Sequence, residues 1–266
     1  MANTFFQFKK FIVHQEHSAM KVCTDACLFG AWVAKDEAII SANNILDIGT
    51  GTGLLSLMLA QATEIFNTNN ATNTDPTHIT AIEIETAAAT EAASNFALSA
   101  WTENMHVVNS SLQDYSASIK NGESTIPKFD CIITNPPFYE GDLKSPDPKK
   151  NLASHSAGLP WSELTEHASA LLKEGGSYFV LIPALRSYTM QKLSEANGLQ
   201  LVEEVLVHNT AKTLPIRAMQ KFIKPIGDTK SQVPIIVKRA KIFIKDADNK
   251  YEAAFTELLQ EYYLHL

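Results

Sequence analysis

The sequence predicts an α/β fold: a Rossmann-like sheet with helices on both faces and a ligand cleft at the carboxyl ends of its strands. Three observations predict it. The apolar run Asn44-Ile45-Leu46-Asp47-Ile48 leads into Gly49-Thr50-Gly51-Thr52-Gly53 and then the helical Leu54 to Ala60, a strand, glycine turn and helix in succession. Short apolar runs then alternate with helical stretches as far as Pro183. A later strand, Phe129 to Thr134, ends in Asn135-Pro136-Pro137-Phe138. The prolines fix φ, lack N–H donors and push the residues before them into extended geometry, so this motif is a stiff projection.

In chain order, Phe5 to Val13 alternates loosely and reads as a hairpin strand or an arm packed on the domain. Thr24 or Asp25 is placed to N-cap a helix through Ala34. Leu28, Ala31 and Trp32 share its apolar face, so it is either a packing helix or a lid on the cleft. Glu64 to His78 is rich in Asn and Thr and reads as an exposed, flexible insertion; its Asn70-Ala71-Thr72 sequon is without meaning in a cytoplasmic protein. It explains why Glu83, at the end of strand Ile79 to Glu83, stands 30 residues after Gly53 (83 − 53), where about 20 is usual. A helix from Thr86 to Ala100, a strand from Met105 to Asn109, and the strand before Asn135 follow. Tyr139 to Gly158 reads as a mobile loop in which His155 is solvated rather than catalytic. Next come a helix from Trp161 to Leu172 capped by Gly175-Gly176, a strand from Ser177 to Pro183, and a helix from Leu185 to Asn197 stopped by Gly198. Leu201 to Val207 and the stretch after Ile216 read as a closing strand pair, Ile235 to Val237 with Lys241 to Ile244 as another, and Tyr251 to Leu264 as a terminal amphipathic helix. The organisation expected is one domain over 1–266, with 1–40 as an N-terminal extension or lid and 64–78 as an insertion.

Composition narrows the class. Apolar residues make up 45% and charged residues 19% of the chain, as in ordinary globular proteins. No apolar run is long enough to span a bilayer, and the start lacks a basic segment followed by an apolar one, so neither membrane nor secretion is expected. Cys23, Cys27 and Cys131 form no metal-ligand cluster and fit a reducing cytoplasm. The net charge of −7 does not suggest a nucleic-acid binder. Yet cations gather near the start (Lys9, Lys10, Lys21) and from Lys212 to Lys245, including Arg217 and Lys221. These are either solvated surface or a phosphate-attracting rim.

The two motifs imply a chemistry. The spacing G-x-G-x-G with Asp47 before it fits S-adenosylmethionine better than NAD, and Glu83 is placed for ribose hydroxyls. In the second motif the Asn135 side-chain oxygen and the Pro136 carbonyl can accept the two N–H bonds of a planar amine, with Phe138 stacked on its ring. The first and fourth strands of such a sheet flank its switch point, so both motifs should open on one cleft.

Beyond these motifs, Phe8 to Phe11, Ala19-Met20-Lys21-Val22 with Thr24-Asp25, Gly30-Ala31-Trp32, Leu214-Pro215-Ile216-Arg217 and Tyr262-Tyr263-Leu264 give a full-length pattern. The chain resembles the bacterial tRNA(Val) adenosine-37 N6-methyltransferase family. The resemblance implies a class I methyltransferase fold with a seven-stranded mixed sheet, S-adenosylmethionine as donor, and an adenosine in a tRNA anticodon loop as acceptor. Carried over by position, Asp47, Gly49, Thr50, Gly51, Gly53, Glu83, Ser111 and Asn135 would hold the cofactor, and Asn135, Pro136, Pro137 and Phe138 the target base. Lys9, Lys10, Lys21, Arg217 and Lys221 are the candidate RNA contacts. Ser111 stands where relatives usually carry an acid for the cofactor's adenine, with Asp114 three residues later; Gln15 and Cys23 replace a usual His and Gly. No metal is implied, and the oligomeric state is open, with a monomer favoured.

An adenine amine is a poor nucleophile because its lone pair is spread into the ring. Two hydrogen bonds to Asn135 and Pro136 would align it with the donor's methyl, and no strong base is needed. A base in a loop is readily unstacked. The same pocket chemistry serves guanine N2 in ribosomal RNA or a protein glutamine amide, which remain alternatives. A non-catalytic RNA-binding module is disfavoured by the intact motifs.

Overall fold

The computed structural model describes residues 3–69, 76–120, 128–137, 159–227 and 235–266. Among these residues the main sheet has eight strands: β3 (Asn44–Ile48), β4 (His78–Glu83), β5 (Met105–Asn109), β6 (Phe129–Thr134), β7 (Leu172–Pro183), β8 (Gln200–His208), β9 (Pro215–Ile223) and β10 (Lys238–Phe243). Their order is β10-β8-β9-β7-β6-β3-β4-β5, and β9 runs against the rest. The expected mixed sheet is present with one strand more than seven, because β10 pairs in parallel with β8. A separate hairpin joins β1 (Phe5–Gln7) to β2 (Ile12–His14).

Strand alternation builds two cores. Ile45, Cys131, Ile133, Phe179 and Leu181 face one side; Leu46, Ile132, Tyr178, Val180 and Ile182 face the other, as period 2 demands. The first side is covered by α1 (Thr24–Ala34), α3 (Leu54–Asn69), α4 (Thr86–Ala97) and α8 (Ala253–Leu259). The second is covered by α5 (Leu112–Lys120), α6 (Trp161–Leu171) and α7 (Ser187–Ala196). The short α2 (Glu37–Ile40) is capped by Asp36, whose carboxylate accepts from the Ala38 N–H at 2.9 Å.

Several expectations change. Most of α1 is buried, with Gly30 pressed against Met58 of α3, so the packing reading of this helix is the one the structure adopts. Its N-cap is Cys23, which makes no side-chain capping bond. The glycines Gly175-Gly176 do not cap α6. The chain passes from helix to strand at Leu172, and the glycines sit where the register shifts from Phe129 opposite Leu172 to Cys131 opposite Ser177. A Cβ on Gly176 would lie 2.9 Å from the Asp130 carbonyl oxygen. The terminal helix is shorter than expected because the chain turns after Leu259 and Tyr262 inserts, its hydroxyl donating to the Met58 carbonyl at 3.1 Å. Ile235 to Val237 precedes β10 rather than joining it. Helix α3 continues into the Asn/Thr stretch, whose residues 70–75 lie outside the described residues, as do the loop 139–158 and His155.

Candidate active site

At the carboxyl end of β3, Gly49, Gly51 and Gly53 have φ of +70°, +56° and +84°, a left-handed turn that side chains resist. A Cβ on Gly49 or Gly51 would meet nothing within 4 Å, so the turn faces open space that side chains would partly fill. Gly53 has a different reason: its Cβ would fall 2.5 Å from Phe96 of α4. Gly49 and Thr50 donate to the Ile82 carbonyl at 2.9 and 3.1 Å, fastening the turn to β4.

Asp47 is fully buried behind this turn. Its Oδ2 accepts from Thr50 Oγ1 at 2.6 Å and Ser56 Oγ at 2.7 Å, while Oδ1 has no partner among the described residues. Burial pushes its carboxyl up to about 6, with the Thr50 and Ser56 hydroxyls pulling the other way. Thr50 therefore serves the turn by holding Asp47. Ser56 does the same and was missed by the sequence reading; its signal is a lone hydroxyl within the apolar opening Leu54 to Ala60 of α3.

Glu83 ends β4 with both oxygens engaged by backbone: Gly51 N–H reaches Oε2 at 3.0 Å and Glu85 N–H reaches Oε1 at 3.0 Å. Asn109, at the end of β5, donates to the Glu83 carbonyl at 2.8 Å and holds that strand end in place. Ser111 lies just beyond, but its hydroxyl is spent on α5. It accepts from the Asp114 N–H at 3.0 Å and donates to Asp114 Oδ2 at 2.7 Å, which makes it an N-cap with an acid at the third helical position. The sequence reading missed this helix, although Ser111-x-x-Asp114 is its start signal.

The two motifs meet. Ile48 pairs with Thr134 in parallel register, and Thr134 Oγ1 donates to the Ile48 carbonyl at 2.9 Å, so Gly49 and Asn135 leave adjacent strands at one level. Asn135 Oδ1 is buried and has no partner among the described residues. Pro136 is buried and Pro137 exposed; Phe138 lies outside the described residues. A buried carbonyl oxygen left without a donor costs about 1–3 kcal/mol unless a ligand supplies one.

A strap, residues 14–22, crosses beside the glycine turn. Asn95 of α4 donates to the carbonyls of His14 and Thr52, both at 2.9 Å, tying strap and turn to one side chain. Glu91 accepts from the N–H groups of His17 at 2.9 Å and Ser18 at 2.8 Å and from the Ser18 hydroxyl at 2.5 Å. Burial alone would raise its carboxyl; these donors outweigh it and leave it below the ordinary value. Gln15 is a strap residue too, its side chain bonded to the Asn3 carbonyl and the Val22 N–H.

The five candidate RNA cations are not gathered at this site. Lys21 folds the strap on itself, donating to the carbonyls of Gln15 and Ser18. Lys9 donates to the Gln260 carbonyl at 2.5 Å, and Lys10 sits 4.0 Å from Glu64. Glu64 lies 11 residues along α3 from Gly53 (64 − 53), about 16 Å from the turn. Lys221 pairs with Asp36 at 2.7 Å, opposite Phe179 and well inside the strand. Arg217 alone stands at the cleft edge, opposite Pro183, and holds Asp25 at 2.8 Å. The sequence could not anticipate these pairings, because each partner except those of Lys21 is distant in the chain.

A family model for the methyltransferase small domain matches residues 31–203. The chain is 36% identical to a tRNA1(Val) (adenine(37)-N6)-methyltransferase of Cytophaga hutchinsonii and 34% identical to one of Bacteroides fragilis, each match covering 100% of both chains. The chain belongs to the tRNA1(Val) (adenine(37)-N6)-methyltransferase family. Among solved structures it is similar to a predicted O-methyltransferase of Agrobacterium tumefaciens, with TM-score 0.61, 18% identity, and coverage of 89% of this chain and 96% of that one. It is also similar to the 16S rRNA N2 G1207 methyltransferase of T. thermophilus in complex with AdoMet and guanosine, with TM-score 0.51, 18% identity, and coverage of 84% and 50%. These likenesses show the fold, and membership of the methyltransferase family gives S-adenosylmethionine as the donor. The site fits that donor: an open glycine cradle, a buried Asp47 oxygen without a partner among the described residues and a braced Glu83 lie side by side.

Proposed function

We propose that this methyltransferase methylates the N6 amine of adenosine 37 in the anticodon loop of tRNA(Val), in the cytoplasm. The observation that carries the proposal is Asn135 Oδ1, buried and without a partner among the described residues, beside the glycine turn. Bound S-adenosylmethionine supplies an electrophilic methyl. Gly49 and Gly51 would give its backbone-side approach, with Gly53 packing the turn against Phe96; Asp47 would face its charged end and Glu83 its ribose hydroxyls. Thr50 and Ser56 keep Asp47 in place, and Glu91 and Asn95 keep the strap against the turn.

The acceptor amine is held by Asn135 Oδ1 and the Pro136 carbonyl, each taking one N–H. Those bonds draw the nitrogen towards a tetrahedral shape, and its lone pair is freed towards the methyl. The prolines matter because they lack N–H groups and hold both acceptors at a fixed angle. Alignment does most of the work: as the N–CH3 bond forms the donor's C–S bond would break, leaving a neutral thioether, and the proton of the cationic nitrogen would pass to water. Pro137 borders the base, and a stacking role for Phe138 rests on the sequence motif alone.

The test is transfer of labelled methyl to total tRNA from a strain lacking the gene, with nucleoside mass spectrometry. N6-methyladenosine confined to one tRNA species is expected. Asn135→Ala should lower kcat by about a hundredfold or more and leave S-adenosylmethionine binding within a factor of two of wild type. Incorporation into ribosomal RNA or protein instead of tRNA, or an active Asn135→Ala enzyme, overturns the reading.

A further inference from the structure

We propose that the turn after β7 and the β8–β9 loop form the RNA-docking shelf of this enzyme, with Tyr188, Leu185 and Leu214 receiving unstacked bases and Lys212 and Arg186 receiving phosphates. The proposal rests on the tRNA reading above and assigns that substrate a surface. It also replaces the cations expected from the sequence, four of which the structure places away from the cleft edge or folds into the strap.

Both segments stand at the carboxyl ends of the strands, where Asn135 is. β6 and β7 are neighbours, Pro183 ends β7, and Arg217 of β9 lies opposite it. The shelf therefore begins one strand from the acceptor motif. Arg186 strengthens the link: its guanidinium lies 5.1 Å from the ring centre of Trp161, the first residue of α6 and hence of the first helix described after Asn135.

Large apolar side chains are exposed here without a packing reason. Leu185 is 94% exposed, Leu214 84% and Tyr188 69%. Their backbones are nevertheless firmly held. Ser187 is bonded to the buried Glu204 and accepts from Gln220 Nε2 at its hydroxyl at 3.0 Å, so the start of α7 is clamped to β8 and β9. In the β8–β9 loop the Thr213 carbonyl lies 2.8 Å from His208 Nδ1, Thr213 Oγ1 accepts from Thr210 N–H at 3.1 Å, and Thr213 N–H reaches the Thr210 carbonyl at 3.1 Å. A rigid scaffold that holds exposed side chains outward is preorganised for a partner.

Charge selects the partner. Residues 183–193 and 207–217 contain Arg186, Lys192, Lys212 and Arg217 and no Asp or Glu, in a chain of net charge −7. Lys192 is paired with Glu195 at 2.9 Å and Arg217 with Asp25 at 2.8 Å, and Glu204 is bonded to Ser187, so the phosphate contact rests chiefly on the exposed Lys212. Lys192 Nζ also stands 5.4 Å from the centre of the Tyr188 ring. Cations interleaved with an exposed aromatic ring and aliphatic side chains suit a single-stranded polyanion with flat bases better than a protein surface.

The deciding experiment compares wild type with L185S/Y188A/L214S and, separately, with Lys212→Glu. Measured are tRNA Kd by filter binding across salt concentrations, S-adenosylmethionine Kd by calorimetry, and kcat at saturating tRNA. The triple variant is expected to weaken tRNA binding about tenfold or more, with kcat and cofactor binding unchanged. Lys212→Glu is expected to reduce the salt slope by about one. Wild-type tRNA methylation with unaltered tRNA Kd in both variants overturns the shelf and leaves the activity standing. Absence of tRNA binding and methylation by wild type overturns the activity and the shelf with it. All substituted side chains but their neighbours' clamps are solvent-facing, and an unchanged thermal melt checks that the variants fold.

Discussion

At the residue scale Asp47 carries the clearest physical tension. It is a carboxylate buried whole, with two hydroxyl donors and one oxygen unsatisfied among the described residues. Its carboxyl titrates near 6 in the fold against 3.8 ordinarily. The folded state thus binds its proton more tightly than the unfolded chain does. Stability from this group is present below about pH 4 and is lost as pH rises through about 6, amounting to about 3 kcal/mol. In thermal melts of ligand-free protein, Asp47→Asn should be more stable than wild type at pH 8, and the difference should vanish near pH 4. S-adenosylmethionine should bind Asp47→Asn more weakly, since the substitution removes the negative charge behind the proposed site of its charged end. Equal melts at pH 8 would refute this account of the buried charge. The exposed side chains of the shelf show the opposite logic: apolar groups in water on backbone that is firmly bonded.

At the element scale the strap and α4 form one unit. Glu91 accepts three donors from His17 and Ser18, and Asn95 joins His14 to Thr52 of the glycine turn. Glu91→Gln removes one acceptor oxygen and leaves buried donors of the strap short of a partner, at a cost of about 1–3 kcal/mol. Hydrogen exchange at the amides of His17 and Ser18 should quicken in that variant, and the exchange of core β3 amides should not. The ordinary Glu91 carboxyl is lowered by the same donors, so their contribution is present at neutral pH and is lost as pH falls through its folded value. Protection at His17 unchanged by Glu91→Gln would separate the strap from α4. For α5 the corresponding device is the Ser111 cap. Ser111→Ala should destabilise the protein by about 1 kcal/mol in urea unfolding, more than a cofactor-only role for that hydroxyl would allow.

At the scale of the molecule, the sheet has a cleft edge at the carboxyl ends of its parallel strands, and the candidate cations differ in their distance from it. Lys10 and Lys221 are ion-paired away from the cleft edge, and Lys9 bonds to the carbonyl of Gln260. The cations of the β7 and β9 ends remain beside the acceptor motif. Binding of tRNA should therefore be salt-dependent through few contacts, with a shallow slope rather than that of a strongly basic RNA binder. Substituting Lys9 or Lys10 with Ala should change tRNA Kd by less than about twofold, the expectation for cations outside the interface; a larger effect would extend the RNA surface to the hairpin.

Much of this was legible in the sequence. Strand, glycine turn and helix at 44–60, the stiff Asn135-Pro136-Pro137 projection and the alternation of apolar strands and helices determine the fold class and the donor, because backbone geometry and local apolar period are written in adjacent residues. Asp47, Glu83 and Asn135 could be picked out for the same reason: each stands at or next to the carboxyl end of a strand, where such a sheet binds its ligands. Tertiary structure alone decided the rest. That Thr134 and Ile48 share a register, that Glu91 and Asn95 brace residues more than seventy positions earlier, and that Lys221 belongs to Asp36 are pairings across long stretches of chain. A cation's partner, and the exposure of Leu185, Tyr188 and Leu214, depend on which surfaces packing brings together, and local sequence carries no record of that.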